Sequence, residues 1–192
     1  MAELCVHVNL ESLKGYAMLT NEMTGLDIAH SYLDAGLWVL PIKPNKKEPY
    51  TRLAHRGHLS ATNDHKILDR WINDDPDMNI GIACEMSQLV VLDFDYRNMS
   101  EDADTFLGWM DHIYYEDTMV VRTGNGFHYY FKCATGLQLK AKYLDGVDIK
   151  YKGYVVAPPS MHPDGDIYKS NGREIMEVPA QLLERMMSNE VR

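Results

Sequence analysis

Apolar residues recur along the chain at two spacings, that of helices mainly before residue 111 and that of strands mainly after it. The helical spacing places an apolar residue every three or four positions, so that one face can be buried. It predicts helices at 26–36, 66–73, 101–110 and 182–187. Alternating or wholly apolar runs bounded by Gly, Pro and Asp predict strands at 37–42, 79–83, 89–94, 119–122, 127–133, 146–150 and 154–157.

This order of elements predicts an α+β domain, because helices and strands are largely segregated along the chain. No internal repeat, low-complexity tract or linker divides it. The weakly patterned residues 1–25 are expected to form a leader, and 26–175 a single domain. Residues 176–192 are expected to form a closing helix and tail.

The strand predicted at 89–94 leads into two carboxylates, Asp93 and Asp95. Alternate residues of a strand point to the same face, so both carboxylates would share a face while Phe94 enters the core. Two like charges side by side call for a cation, which suggests a pair of metal ligands. The alternative is a strand that ends in a loop with solvated aspartates, which is the commoner meaning of an isolated Asp-x-Asp.

A turn rich in small residues follows the strand at 119–122. It contains Thr123, Gly124 and Gly126, with Arg122 before it and His128 after it. Glycines allow a phosphate to approach the backbone, and consecutive amides in such a turn can bind an anion. The alternative is an ordinary hairpin turn followed by a strand histidine.

A third carboxylate, Asp148, interrupts an apolar strand and shares a face with Lys150. A buried charge is costly unless it is paired or bound to metal. The alternative is that Asp148 lies on the wet face of the strand. Lys47 and Lys150 are likewise either phosphate ligands or solvated lysines.

The charge, the cysteine content and the length of the apolar runs limit the classes of protein to which this chain can belong. The formal net charge is −9, with 19 Lys and Arg against 28 Asp and Glu. Nonspecific affinity for duplex DNA comes mainly from neutralisation of phosphates, so an acidic net charge argues against a broad basic DNA-binding face. It does not exclude a local basic groove. Three well-separated cysteines predict neither a structural zinc nor a disulfide framework. No apolar run approaches the roughly 18 residues of a membrane span, so we expect a soluble cytoplasmic protein without a membrane partner.

Taken in order, these segments resemble the bifunctional DNA primase/polymerase (prim-pol) domain of the archaeo-eukaryotic primase superfamily. The resemblance covers roughly residues 26–169. It is carried by 29–44, 47–49 and 79–83, by Val91-Leu92-Asp93-Phe94-Asp95, by Arg122-Thr123-Gly124-Asn125-Gly126-Phe127-His128 with 129–131, by Gly146-Val147-Asp148-Ile149-Lys150, and by 153–160 with His162-Pro163.

The resemblance implies an RRM-like catalytic sheet, at about 89–175, with an N-terminal α/β module, at about 26–88, packed against it. It implies that Asp93, Asp95 and Asp148 hold two divalent ions, Mg²⁺ or Mn²⁺. It also implies that His128 contacts the phosphates of the incoming nucleotide. The other nucleotide-binding candidates are Lys47, Arg122, Thr123, Gly124, Gly126 and Lys150. Lys150 stands where many relatives carry arginine, which keeps the charge but loses bidentate geometry.

The activity implied is template-dependent nucleotidyl transfer by a DNA primase, a DNA polymerase or both. Its substrates would be dNTPs or NTPs on a single-stranded DNA template and primer. A separate replicative helicase or a second copy would supply further template affinity. The protein would replicate the DNA of a phage, plasmid or other mobile element. If it is encoded by a phage, it would act in the host cytoplasm. Two rival classes are a noncatalytic module that binds nucleotide or single-stranded DNA, and a metal-dependent phosphodiesterase or nuclease using the same carboxylates.

Overall fold

The structure is a computed structural model that describes residues 25–187. The predicted leader, apart from residue 25, and the end of the predicted tail lie outside these residues. Within them, four α-helices are α1 (Gly25–Asp34), α2 (His65–Asp74), α3 (Glu101–Tyr114) and α4 (Ala180–Met186). The strands are β1 (Val39–Ile42), β2 (Asn79–Ala83), β3 (Leu89–Asp95), β4 (Val120–Thr123), β5 (Gly126–Lys132), β6 (Lys142–Leu144), β7 (Val147–Lys150), β8 (Tyr154–Ala157) and β9 (Lys169–Ser170).

The described strands form two antiparallel sheets. The small sheet has the order β1-β2-β8, and the large sheet has the order β6-β7-β3-β5-β4-β9. The predicted α+β class is confirmed. The division into modules near residue 88 stays a prediction, and β8 lies in the small sheet although its residues belong to the second predicted module.

Helix α3 covers one face of the large sheet. The side chain of Ser100 caps it by accepting a hydrogen bond from the amide of Ala103, and three acidic residues in its first turn favour the positive end of the helix dipole. Its buried residues are Ala103, Phe106, Leu107 and Met110. It runs four residues past the predicted end, to Tyr114, whose ring packs edge-on against Phe131 with centroids 5.7 Å apart.

Strand β3 separates two cores and then carries the acidic residues. Val90, Leu92 and Phe94 belong to the core that contains α3 and α4. The opposite face presents Leu89 and Val91 to the core shared with the small sheet. Asp93 and Asp95 continue this second face as only partly buried side chains. The same alternation that fills both cores therefore places the two carboxylates on one open stretch of the sheet.

The chain returns from the large sheet to the small one through β8. Just after β8, the hydroxyl of Ser160 accepts a hydrogen bond from the amide of Ile80 at 2.9 Å and lies 3.1 Å from the carbonyl oxygen of the same residue. The hydroxyl of Tyr32 on α1 donates to the carbonyl of Pro158 at 2.8 Å. These contacts tie the end of β8 to both sides of the small sheet. No helix among the described residues is long and apolar enough to cross a membrane.

The candidate active-site cleft

Three side chains form a row across the middle of the large sheet. In the strand register, Asp93 of β3 lies directly opposite His128 of β5 on one side and opposite Asp148 of β7 on the other. Directly paired residues share a face, so the three side chains project together. This acid–histidine row brings together residues that lie 55 positions apart in the sequence, counted from 93 to 148.

Lys150 lies against the two carboxylates of the row. Its Nζ is 2.7 Å from Oδ2 of Asp148 and 3.6 Å from Oδ2 of Asp93. On the other side of Asp93, Nε2 of His128 is 3.4 Å from Oδ1. The Asp93 side chain is 27% exposed and that of Asp148 49%, so the row opens to solvent at the Asp148 end.

The charges of the row lower one pKa and raise another. Burial would raise the pKa of Asp93, but the charge and hydrogen bond of His128, followed by the charges of Lys150 and Lys47, lower it to about 2. Burial would lower the pKa of Lys150, but its contacts with Asp148 and Asp93 raise it. Asp93 is therefore a carboxylate and Lys150 an ammonium throughout the physiological pH range.

Asp95 shares the face of Asp93 but has its own cationic partner. Nε and one terminal nitrogen of Arg97 lie 3.0 and 2.9 Å from its two oxygens, and the Arg97 amide donates to Oδ1 at 3.1 Å. Nδ2 of Asn98 adds a contact of 3.2 Å. The hydrogen bond from the Arg97 side chain is the main cause that lowers the pKa of Asp95. Sequence reasoning missed Arg97 and Asn98, which follow the strand-terminal Asp95 by two and three positions, within reach of a turn that returns to its carboxylate.

A cleft of about 440 Å³ opens over the row. Besides the acidic row, its walls include Lys47, Arg97, Asn98, Thr123, Asn125, Lys142, Asp145 and Gly146. The backbone of Lys47 is anchored to β8, because its carbonyl oxygen accepts a 2.9 Å hydrogen bond from the hydroxyl of Tyr154. The cleft thus surrounds carboxylates with cationic and amide groups, a setting suited to a polyanion bound together with metal ions.

The glycine turn forms one wall of the cleft. Thr123 and Asn125 face the cleft, and Oγ1 of Thr123 accepts a hydrogen bond from the Asn125 amide at 3.2 Å. Gly124 packs against the ring of His162, where an added Cβ would lie 2.7 Å from Nδ1. Gly126 packs against the backbone of Phe94. Close packing accounts for both glycines, and their phosphate-binding role stays a prediction.

Arg122 does not enter this cleft. It pairs with Phe127 in the β4–β5 register, whereas the neighbouring residue Val121 pairs with His128. Arg122 therefore lies on the face opposite the acid–histidine row, where it lines a second cleft together with Gly124 and Gly126. Of the predicted nucleotide-binding residues, the structure brings His128, Lys150, Lys47 and Thr123 to the row or its cleft.

His162 is a buried neighbour of the turn, with a side chain only 3% exposed. Its Nδ1 accepts a 3.2 Å hydrogen bond from the amide of Asp164, and its ring packs near that of Tyr168. The ring of Tyr168 in turn lies 6.0 Å from that of His128. Burial, followed by the charge of Lys47, lowers the pKa of His162. The rings of His162, Tyr168 and His128 therefore lie side by side beneath the cleft.

The donor set suits a hard divalent cation, although its groups are now engaged by protein cations. Within residues 25–187, no three His, Cys, Asp or Glu side chains converge closely enough to hold a metal ion. The Lys150 ammonium lies against Asp93 and Asp148, and the Arg97 guanidinium binds Asp95. Asp93, Asp95 and Asp148 supply carboxylate oxygens, the ligands that Mg²⁺ and Mn²⁺ prefer, so their chemistry suits such an ion although their spacing here does not form a complete site.

Comparison with known proteins gives one family. The family model of the bifunctional DNA primase/polymerase N-terminal domain matches residues 29–181, which include every strand described above. No curated protein matches the chain.

Proposed function

The chain belongs to the bifunctional DNA primase/polymerase family, and we propose that its cleft catalyses template-dependent nucleotidyl transfer. This reaction would extend an existing primer, synthesise a new one, or do both. Membership supports a nucleotidyltransferase of the primase/polymerase type. The observation that carries the proposal for this cleft is the register pairing of Asp93 with His128 and Asp148, which assembles acidic and phosphate-binding chemistry on one face.

We propose that Asp93, Asp95 and Asp148 hold two divalent ions, in keeping with a family that is typically metal-dependent. When bound, Mg²⁺ or Mn²⁺ would lower the pKa of the attacking 3′-hydroxyl and neutralise the departing pyrophosphate. The low pKa of Asp93 keeps it ionised and ready to bind without a proton being displaced. Arg97 and Lys150 would exchange their carboxylate partners for phosphate oxygens as substrate enters.

His128 is proposed to donate a hydrogen bond to the triphosphate. Lys47, Thr123 and Lys150 line the same space and would add charge and a hydroxyl donor. In the reaction, the 3′-hydroxyl gives its proton to water and its oxygen bonds to the α-phosphorus, while the bond from that phosphorus to the bridging oxygen breaks and pyrophosphate leaves with the electron pair. The remaining predicted nucleotide ligands, Arg122, Gly124 and Gly126, are not needed for this arrangement.

The proposed setting is DNA replication, with dNTPs or NTPs, a single-stranded template and a primer as ligands. A net charge of −9 leaves little general affinity for nucleic acid, which favours a separate replicative helicase or a second copy as partner. A phage or plasmid replicon and a cytoplasmic location complete the proposal.

Incorporation assays with all eight triphosphates, on primed and unprimed single-stranded DNA, test the activity. We expect extension or de novo products with Mg²⁺ or Mn²⁺, no product with EDTA, and recovery when excess metal is restored. Absence of metal-dependent product from every triphosphate would reject the proposal. Binding without turnover would favour the noncatalytic module, whereas degradation of DNA without consumption of triphosphate would favour a nuclease.

Replacing His128 with alanine should mainly raise the KM for nucleotide. Hydrogen bonds to charged groups are worth about 1.5–3 kcal/mol, so the expected increase is about 10- to 100-fold. Steady-state extension kinetics at saturating primer–template measure KM and kcat separately. His112→Ala, on the exposed side of α3, is the control and should leave both constants unchanged. An unaltered KM in His128→Ala would refute the phosphate contact.

A further inference from the structure

A second cleft, of about 410 Å³, lies on the opposite face of the large sheet at its β9 edge. Its floor is a row that follows the strand register: Lys169 of β9 lies opposite Arg122 of β4, which lies opposite Phe127 of β5. Tyr96 extends the row, because its ring meets that of Phe127 edge-on with centroids 5.9 Å apart. Two cations and two aromatic rings therefore line one continuous strip, which we call the Arg122 strip.

The two cations of the strip have no anionic partner in the part of the chain that the structure describes. Among residues 25–187, neither the Arg122 guanidinium nor the Lys169 ammonium makes a hydrogen bond or an ion pair, and both residues are exposed. Glu116 pairs with Arg173, and Asp111 accepts a hydrogen bond from the hydroxyl of Tyr129, whereas Asp104 of α3 acts electrostatically on Tyr96 but, among the described residues, forms no ion pair with either cation. Like charges directly opposite one another in a sheet are unfavourable, so an external anion at this point would stabilise the pair.

The aromatic part of the strip indicates what kind of anion would bind. The Tyr96 residue is 52% exposed, and Phe127 is only partly buried. Exposed rings beside unpaired cations are the combination with which proteins hold single-stranded nucleic acid, because bases stack on the rings and phosphates meet the cations. A free phosphate would use only the cations, and a duplex would hide the base faces that the rings require.

The strip is also joined to the acid–histidine row. The hairpin between β4 and β5 separates the two clefts, and Thr123 lines both of them. A strand that follows the edge of the sheet around this hairpin would pass from Arg122 to the proposed active site. We propose that the Arg122 strip binds the single-stranded DNA template outside the active site. This inference rests on the proposed function for the role of the strand, but binding itself can be measured without catalysis.

The test is equilibrium binding of a 5′-fluorescein-labelled oligodeoxythymidylate of about 20 nucleotides, followed by anisotropy in EDTA. The test variant is Arg122→Gln/Lys169→Gln, which removes two charges from exposed positions and keeps most of each side chain. Its matched control is Arg70→Gln/Lys66→Gln, an exposed pair of the same residue types on α2. Thermal melting checks that both double variants remain folded.

We expect the test variant to weaken binding about 20-fold at about 0.1 M salt, and to reduce the slope of log K against log salt by about 1.4, as for two lost phosphate contacts on a single strand. Tyr96→Ser should weaken binding about fivefold or more without altering the slope, since stacking carries no charge. The control pair should bind like the wild type.

Three outcomes would contradict the proposal that the Arg122 strip binds single-stranded DNA. They are a test variant that binds within twofold of the wild type, equal competition by duplex DNA of the same length, and absence of binding by the wild-type chain. If binding depends on the strip while no nucleotide is ever incorporated, the proposed activity fails and the inference about the strip stands.

Discussion

Asp93→Asn should reduce metal-dependent nucleotide incorporation by about 10³-fold or more, the largest effect on activity expected for any substitution in the cleft. Asp93 is the centre of the acid–histidine row and contacts both His128 and Lys150. The amide keeps the size of the side chain but removes the charge on which metal binding depends. Loss of a metal ligand forfeits several kcal/mol of transition-state stabilisation, which corresponds to this factor.

Single-turnover extension with saturating Mn²⁺ and primer–template measures the effect on chemistry directly. Asp77→Asn, at an exposed loop aspartate that does not line the active-site cleft, is the control and should retain full activity. A melting temperature measured for each variant separates lost chemistry from lost folding. Full incorporation by folded Asp93→Asn would remove Asp93 from the proposed mechanism.

Gly126→Ala should be the most destabilising single-methyl substitution in the large sheet, with a loss of more than about 3 kcal/mol in the free energy of unfolding. An added Cβ would overlap the carbonyl oxygen of Phe94 and lie 2.8 Å from its carbonyl carbon. Both obstacles are backbone atoms of β3, to which β5 is hydrogen-bonded, so no side-chain rotation relieves the overlap. Relief requires β3 and β5 to separate where Gly126 faces Asp95, two residues from the pair of Asp93 and His128.

Urea unfolding monitored by circular dichroism gives the change in free energy. Gly108→Ala is the matched control, since it adds the same methyl group to the exposed face of helix α3 with nothing within 4 Å of it. It should stabilise the protein by up to about 1 kcal/mol through helix propensity. A Gly126→Ala variant as stable as the wild type would show that the two strands can move apart freely.

Long apolar runs with clear boundaries made most elements predictable from the sequence. The strands at 79–83 and 154–157 have the predicted ends, because turn-forming residues lie next to largely buried runs: Pro76 and Asp77 shortly before the first, Gly153 and Pro158 on either side of the second. Strands β6 and β9 were not predicted. They contain three and two residues, and none of these is buried, so no hydrophobic period marks them. Their pairing is fixed by the neighbouring strands β7 and β4 rather than by their own sequence.

The candidate site was predictable where strand alternation alone decides the geometry. Asp93 and Asp95 share a face as expected, and Asp148 shares a face with Lys150. Alternation within one strand could not place Arg122, because the glycine turn separates it from His128. Arg122 pairs with Phe127 across the hairpin, so these two residues share the face opposite that of His128. Arg97 could not be found in this way, because its contact with Asp95 depends on the turn after β3.

The pairing of β8 with the small sheet determines what a cut in the chain would separate. Central strand β2 is paired on one side by β1 and on the other by β8, which follows the Asp148 strand in sequence. A chain cut in the turn between β2 and β3 would yield two pieces, of which the first lacks a strand that only the second can supply. The pieces would regain the fold by complementing each other in trans, so polymerisation could serve as the readout of their reassociation.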